Sequence, residues 1–227
     1  MKRIALALAA ATLGLSACAP AVLALEEPVN APAPKRIAKE GAGLKTAIFA
    51  GGCFWGVEGV FSHVKGVKSA VSGFHGGTAA TAKYTSITAG GTNHAEAVMI
   101  TYDPYVVRYD ELLRIFFSVV TDPTLLNRQG PDVGAHYRSA LIPMNAEQGK
   151  VAKAYLAQME ASGVWSRPIV TRIEAFRKFH PAEKYHQDFM AKNPRHGYIL
   201  RWDAPKVKAL KAMFPGDYSA AFLRDDR

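Results

Sequence analysis

The chain has 227 residues, 49% of them hydrophobic and 21% charged, with a formal net charge of +9. This composition excludes a disordered or fibrous polypeptide and leaves room for one domain with a sizeable core plus appendages. Only two cysteines occur, Cys18 and Cys53, so a disulfide-stapled scaffold is excluded as well.

The first seventeen residues differ in kind from the rest. Lys2 and Arg3 precede an apolar run from Ile4 to Leu15, about a dozen residues, which is too short to span a bilayer and has the length of a secretory h-region. Leu15-Ser16-Ala17-Cys18 ends the run and resembles the lipobox of bacterial lipoproteins, which are cut before a cysteine whose sulfur is acylated. The alternative is a plain signal peptide cut further on, after Ala24. Either way an exported location is expected, periplasmic or in the cell envelope, with a lipid anchor on Cys18 in the first case. Removing residues 1–17 takes away two bases and no acid, leaving a charge of +7. No basic helix or aromatic-interleaved basic run appears, so the charge reads as solubility and weak attraction to anionic surfaces. No nucleic-acid partner is expected, and a monomer is.

Residues 18–40 are rich in proline and alanine, with Pro20, Pro28, Pro32 and Pro34, and read as a tether. The catalytic body is expected over 41–202, followed by a tail, 203–227, without cysteine and with a short amphipathic stretch (Val207, Leu210, Met213, Phe214). Thr46 to Ala50 is an apolar strand broken by Gly51-Gly52. From Cys53, the residues Phe54, Val57, Val60, Phe61 and Val64 recur at the spacing of one helix face, and Gly66 closes the helix. A second strand runs from Val67 to Phe74, and a loop rich in Gly and Thr leads to a third, Glu96 to Tyr102. Tyr109, Leu112, Leu113, Phe116, Phe117 and Val120 mark a second helix, and Tyr137 to Ile142 a fourth strand. The expected fold class is therefore α+β, a two-layer sandwich with a ferredoxin-like βαββαβ core. A helix from Asn145 to Ser162 with Asn145 and Gln148 placed as a capping box, a strand from Ile169 to Ala175 and a helix opened by Pro181 elaborate it.

Cys53 stands where a strand passes through two glycines into a helix. The helix start aims unpaired N–H groups and a positive dipole end at the sulfur, which favours the thiolate and predicts a lowered thiol pKa. A free cysteine on a helix is also an ordinary small core residue. Strand alternation puts Glu96 on the face of Val98, Ile100 and Tyr102. If that face is core, desolvation raises the carboxyl's pKa and lets it hold a proton near neutral pH.

Gly51-Gly52-Cys53-Phe54-Trp55-Gly56-Val57-Glu58 closely resembles the signature of the A-type peptide methionine sulfoxide reductases. The resemblance continues in order through Tyr84, Asn93 to Val98, Asp122-Pro123-Thr124, Arg128-Gln129-Gly130, Asp132 to Ser139 and Phe179 to Gln187. It implies thiol-dependent reduction of methionine-S-sulfoxide, free or in oxidised proteins, through a sulfenic acid on Cys53. It further implies Glu96 as the acid, Tyr84 and Tyr137 as oxygen-binding hydroxyls, Asp132 as a polar assistant, and Phe54 and Trp55 as the methyl pocket. No bound cofactor is implied, only an external reductant, a thioredoxin-like protein or a small thiol. Many members carry further C-terminal cysteines that resolve the sulfenic acid, whereas residues 197–227 here contain none. His186 reads as structural.

Two other readings stay open on the residues alone. One is a cysteine hydrolase with His94 or His136 as base; the other is an anchored binding protein in which Cys53 is inert. No metal site is expected, because the seven histidines show no paired ligand spacing and one cysteine cannot make a thiolate site. For the N-terminus, a Cys18→Ala change is expected to abolish lipidation. Membrane partition and intact mass check this, and an unchanged mass and partition would refute the lipobox.

Overall fold

The computed structural model describes residues 27–224, so the signal segment and Cys18 lie outside the described residues. Strand β1 (Lys45–Gly51) leads through Gly52 and Cys53 into helix α1 (Phe54–Phe61), and β2 (Val67–His75) follows. The Gly and Thr loop contains a short helix, α2 (Tyr84–Thr88), before β3 (Ala95–Tyr102). Helix α3 (Tyr109–Ile115) runs on into a π-helical turn (Phe116–Val120). Two short strands, β4 (Arg128–Gln129) and β5 (Asp132–Val133), precede β6 (Ser139–Ile142), and α4 (Ala146–Ser162), β7 (Arg172–Ile173), β8 (Phe179–Pro181), α5 (Phe189–Lys192) and α6 (Ala204–Met213) complete the chain.

The main sheet has the order β7-β6-β1-β3-β2-β8. Its four central strands are mutually antiparallel, with β3 between β1 and β2, which is the ferredoxin-like split βαβ arrangement that the hydrophobic periods predict. One face of the sheet packs Phe49, Phe74, Val98, Ile100 and Leu141 against the helices in the larger core. The other face carries small residues, Ala50, Ala97 and Ala140 among them, with Val71 and Met99 only partly covered. Alternation of side chains along each strand separates the two sets.

Several expected boundaries move. Residues 28–40 do not swing free as a tether. They lie as a strap over α3 and α4, because their backbone groups find partners there: Val29 N–H donates to Ser118 O (2.9 Å), Tyr155 Oη to Pro32 O (2.7 Å) and Gln158 Nε2 to Ala33 O (2.7 Å). Glu40 anchors the strap's end by accepting from Tyr102 Oη and from Tyr109 N–H. Likewise the tail beyond 202 belongs to the fold, since α6 buries Ala209 and Leu210 and Lys65 N–H donates to Asp217 O (2.7 Å). The helix expected at Pro181 is absent. Phe179–Pro181 instead pairs with the outer edge of β2, where a residue lacking N–H is tolerated, and Ala182 N–H and the Gln187 amide both bond Ser72 O. The strand expected over 169–175 contracts to two residues.

Asn145 caps α4 as predicted, its Oδ1 accepting from Gln148 N–H (2.9 Å). Gln148 does not return the bond to Asn145 N–H that would close the expected box. Its buried amide accepts from Met144 N–H (2.8 Å) and donates to Thr46 O (2.9 Å) and Tyr102 Oη (3.1 Å), tying α4 to β1 and β3. A Gln148→Ala change strands these buried groups, each at about 1–3 kcal/mol. A loss of roughly 2–3 kcal/mol is expected by chemical denaturation, and a change below about 0.5 kcal/mol would show that the network carries no such weight.

Candidate active site

Cys53 is partly exposed at the N-cap of α1, at the C-terminal end of β1. Two close approaches shape this corner. Gly52 has φ +94°, and a Cβ there would stand 2.6 Å from Gln129 Cβ. Gly56, in the first turn of α1, leaves room for the Asp203 carboxylate, which would collide with any side chain at that position.

Glu96 lies on the core face of β3 and is 1% exposed. Its Oε2 accepts a hydrogen bond from the backbone N–H of Phe54 (3.0 Å), the residue next to the cysteine. Burial pushes its carboxyl up to about 8, against the opposing effect of that hydrogen bond. This is the protonated acid that strand alternation predicts. Tyr84 and Tyr137 share the electrostatic neighbourhood of Glu96, Cys53 and Asp132. Burial raises both hydroxyls, Tyr84 to about 12, so each remains a hydrogen-bond donor throughout the neutral range.

The cysteine itself departs from expectation. Its thiol is raised well above the ordinary value, first by burial and then by the carboxylates of Asp203, Glu96 and Asp132. The Trp55 backbone N–H at the helix start acts in the predicted downward direction, but it is outweighed. Desolvation and three acids in one pocket exceed what one helix N-terminus supplies.

The two aromatic residues after the cysteine separate. The Phe54 ring is buried, tilted against Phe74 (5.7 Å) and His186 (5.0 Å) and stacked with Tyr84 (6.2 Å). Trp55 remains partly exposed, stacked on Phe189 at 3.7 Å, with its indole N–H donating to His186 Nδ1 (3.1 Å). His186 therefore fixes the Trp55 ring, in line with its structural reading. Asp132 accepts from Tyr198 Oη, and burial raises its carboxyl. Glu58 is buried one turn into α1, pushed up to about 8 mainly by that burial, and its Oε1 accepts from Asp188 N–H (3.1 Å).

The structure thus brings together Cys53, Glu96, Tyr84, Tyr137, Asp132, Phe54 and Trp55. It adds Tyr198 and Asp203, which the sequence reading did not single out. Tyr198 stands in a stretch without hydrophobic period, and Asp203 before Ala204-Pro205 signals only a helix start. His94 and His136 do not pair with the cysteine as a base would. His94 Nδ1 accepts from Gly77 N–H (3.2 Å) and its Nε2 meets Thr78 O (3.0 Å), while burial lowers the pKa of both imidazoles. Among the described residues no cluster of His, Cys, Asp and Glu could hold a metal ion, and no helix is long and apolar enough to cross a membrane.

The model of the peptide methionine sulfoxide reductase family matches residues 45–217. The chain is 52% identical over 181 residues to peptide methionine sulfoxide reductase MsrA 2 of Mesorhizobium japonicum, covering 80% of this chain and 93% of that one. It is 46% identical over 174 residues to MsrA of Deinococcus radiodurans, covering 77% and 84%. Among solved structures it is similar to reduced Mxr1 from Saccharomyces cerevisiae (TM-score 0.58, 30% identity, 71% of this chain and 92% of that chain). It is equally similar to methionine sulfoxide reductase A of Corynebacterium diphtheriae (TM-score 0.58, 30% identity, 76% and 85%). With its ferredoxin-like core, its Cys53 beside a buried acid and these relatives, the chain belongs to the peptide methionine sulfoxide reductase family and is an oxidoreductase that reduces methionine sulfoxide.

Proposed function

We propose that Cys53 is the reacting thiol and that it reduces the S-epimer of methionine sulfoxide, free or in oxidised proteins, by taking up its oxygen. The observation that carries this reading is the Glu96 carboxyl, buried, held at about 8 and bonded to the N–H of the residue next to Cys53. A sulfoxide has an electrophilic sulfur and a strongly basic oxygen, so attack by a thiol needs that oxygen protonated or strongly hydrogen-bonded. Glu96 supplies the proton, and the Tyr84 and Tyr137 hydroxyls hold the oxygen. The Phe54 and Trp55 rings, joined through His186, offer the methyl group aromatic walls, and Asp132, tied to Tyr198, supplies a polar edge. The oxygen passes from the substrate sulfur to Cys53 carrying the Glu96 proton, and the proton that the thiol releases as its S–O bond forms restores the Glu96 carboxyl. The products are methionine and a Cys53 sulfenic acid, with all atoms accounted for. Three different partners for methyl, oxygen and attacking sulfur are what makes one epimer fit.

The sulfenic acid is returned by an external thiol. Cys53 also lines a cavity of about 130 Å³ whose walls include Gln129, Asp132, Tyr198, Trp202, Asp203 and Lys206 but none of Glu96, Tyr84 or Tyr137. A thiol entering there reaches the sulfur past Asp132 and Tyr198. It forms a mixed disulfide and releases water, and a second thiol then frees Cys53 and leaves as the disulfide. Thioredoxin-like proteins and small thiols both meet this chemistry. Cys18, acylated, is the proposed membrane anchor of an exported, periplasmic enzyme. If it were instead unacylated, the chain from Cys18 to Glu27 could extend about 30 Å, and Glu27 itself lines that cavity.

Two outcomes are expected. In single turnover with the S-sulfoxide, wild-type rates should fall as pH rises through about 8, where Glu96 loses its proton. Glu96→Gln should be slower by about 10²- to 10⁴-fold and lack that decline; an unchanged rate at neutral pH would remove Glu96 from the mechanism. With one equivalent of each resolved epimer and no reductant, the S-sulfoxide should yield one methionine and a sulfenic-acid-specific adduct on Cys53, and the R-sulfoxide neither. Equal turnover of both would sink the geometry, and a Cys18 to Cys53 crosslinked peptide would show that the resolving thiol is internal.

A further inference from the structure

The end of the sheet that carries Cys53 also carries a larger cleft, about 620 Å³ in volume. Four segments that carry residues of the proposed site run into its walls. His94 stands just before β3, two residues ahead of Glu96; His136 immediately precedes Tyr137; Gly134 follows Asp132 by two; and Gly90 and Gly91 follow α2, which Tyr84 opens. Two residues of extended chain cover about 7 Å, which is the reach from His94, at the entry to β3, to Glu96. The His94 ring meets Phe74 edge-on at 6.0 Å, and Phe74 in turn packs on Phe54 at 5.7 Å. The cleft and the proposed site therefore lie on either side of the buried Phe74. An extended polypeptide advances about 3.3–3.6 Å per residue, so residues two or three positions from a bound methionine sulfoxide reach into it.

The cleft has a definite charge. Arg138, Arg172 and Arg177 line it, against the single acid Glu174. Arg138 is already engaged: its Nε bonds Glu174 Oε1 (2.7 Å), and its other nitrogens bond Ala135 O (3.0 Å), Asn93 O (3.2 Å) and Glu174 Oε2 (3.1 Å). Glu174 also faces the buried His75 ring at 3.7 Å. Arg172 and Arg177 are exposed, and no ion pair engages either one among the described residues. The backbone of each is tied to the sheet, Arg172 as part of β7 and Arg177 through its N–H, which donates to His75 Nε2 (3.1 Å). A guanidinium offers paired donors that match a carboxylate.

We propose that this cleft is a subsite for the polypeptide flanking an oxidised methionine, and that it selects aspartate or glutamate side chains through Arg172 and Arg177. The proposal rests on Cys53 as the reacting thiol and names the substrate class of that site: methionine sulfoxide in acidic, exposed stretches of protein. The test uses nine-residue peptides with a central methionine-S-sulfoxide, carrying acidic, neutral or lysine residues at the second and third positions on one side or the other. With the full chain and a thiol reductant, kcat/KM for the acidic peptide on the favoured side is expected to exceed the neutral one by about fivefold, through KM, and the lysine peptide to fall below it. Salt at about 0.5 M should shrink the difference. In an Arg172→Glu/Arg177→Glu variant, folded by near-UV circular dichroism, the ratio of acidic to neutral kcat/KM should drop to one or below. Equal values for all peptides on both sides, or an unchanged ratio in the variant, would overturn the subsite. Failure of Cys53 as the reacting thiol would look different, since a Cys53→Ala variant would then still turn over every peptide.

Discussion

The hydrogen bond from Phe54 N–H to Glu96 joins the two halves of the site, and most of the surrounding architecture serves to make it possible. A carboxyl buried on the core face of a central strand is unfavourable unless something satisfies it. The first turn of α1 has backbone donors with no helical partner. Setting that turn over β3 solves both problems at once, and it places the residue before Phe54 beside an acid. The antiparallel pairing of β3 between β1 and β2 fixes the register, so Glu96 cannot slip without turning its whole strand inside out.

The same arrangement explains why the thiol is raised. A helix start lowers a thiol pKa when its dipole is the largest field present. Here burial acts on the Cys53 thiol and the Glu96 carboxyl in one direction, disfavouring both anions. Sulfoxide reduction suits such a pocket, because oxygen transfer from a neutral substrate to a neutral thiol ends with neutral products. The proton needed on the oxygen as the bond forms is the harder requirement. The burial that provides it has a consequence for stability. Glu96 and Glu58 both have raised carboxyls, so their contribution is present below the ordinary carboxylate range and is lost as pH rises through about 8.

Much of this was legible beforehand where it depended on local period. The core strands, α1, α3, α4 and the burial of Glu96 follow from alternation and helical spacing. What escaped was decided by distant partners. Residues 28–40 contain four-residue stretches with no period at all, yet Ser118, Tyr155 and Gln158 supply bonds that hold them down. Pro181 looks like a helix opener until Ser72 offers an edge to pair with. The direction of the Cys53 shift was misread because a local signal, the helix start, was weighed without Asp203, which lies 150 residues away in the chain.

The glycines around Cys53 make the same point at atomic scale. Read locally, Gly51-Gly52 is a tight turn, and only Gly52, with its positive φ, requires that reading. A side chain at Gly51 would run into the Phe116 ring in the π-helical turn, one at Gly52 into Gln129, and one at Gly56 into Asp203. Three segments far apart in sequence thus each dock where one of these glycines leaves a gap. Phe116 closes the apolar floor, Gln129 holds the Asp122 backbone through both its amide atoms, and Asp203 brings the C-terminal segment with Trp202 and Tyr198. The Gly-Gly-Cys-Phe-Trp-Gly stretch is therefore less a flexible loop than a socket, whose shape is set by what must come close to the sulfur.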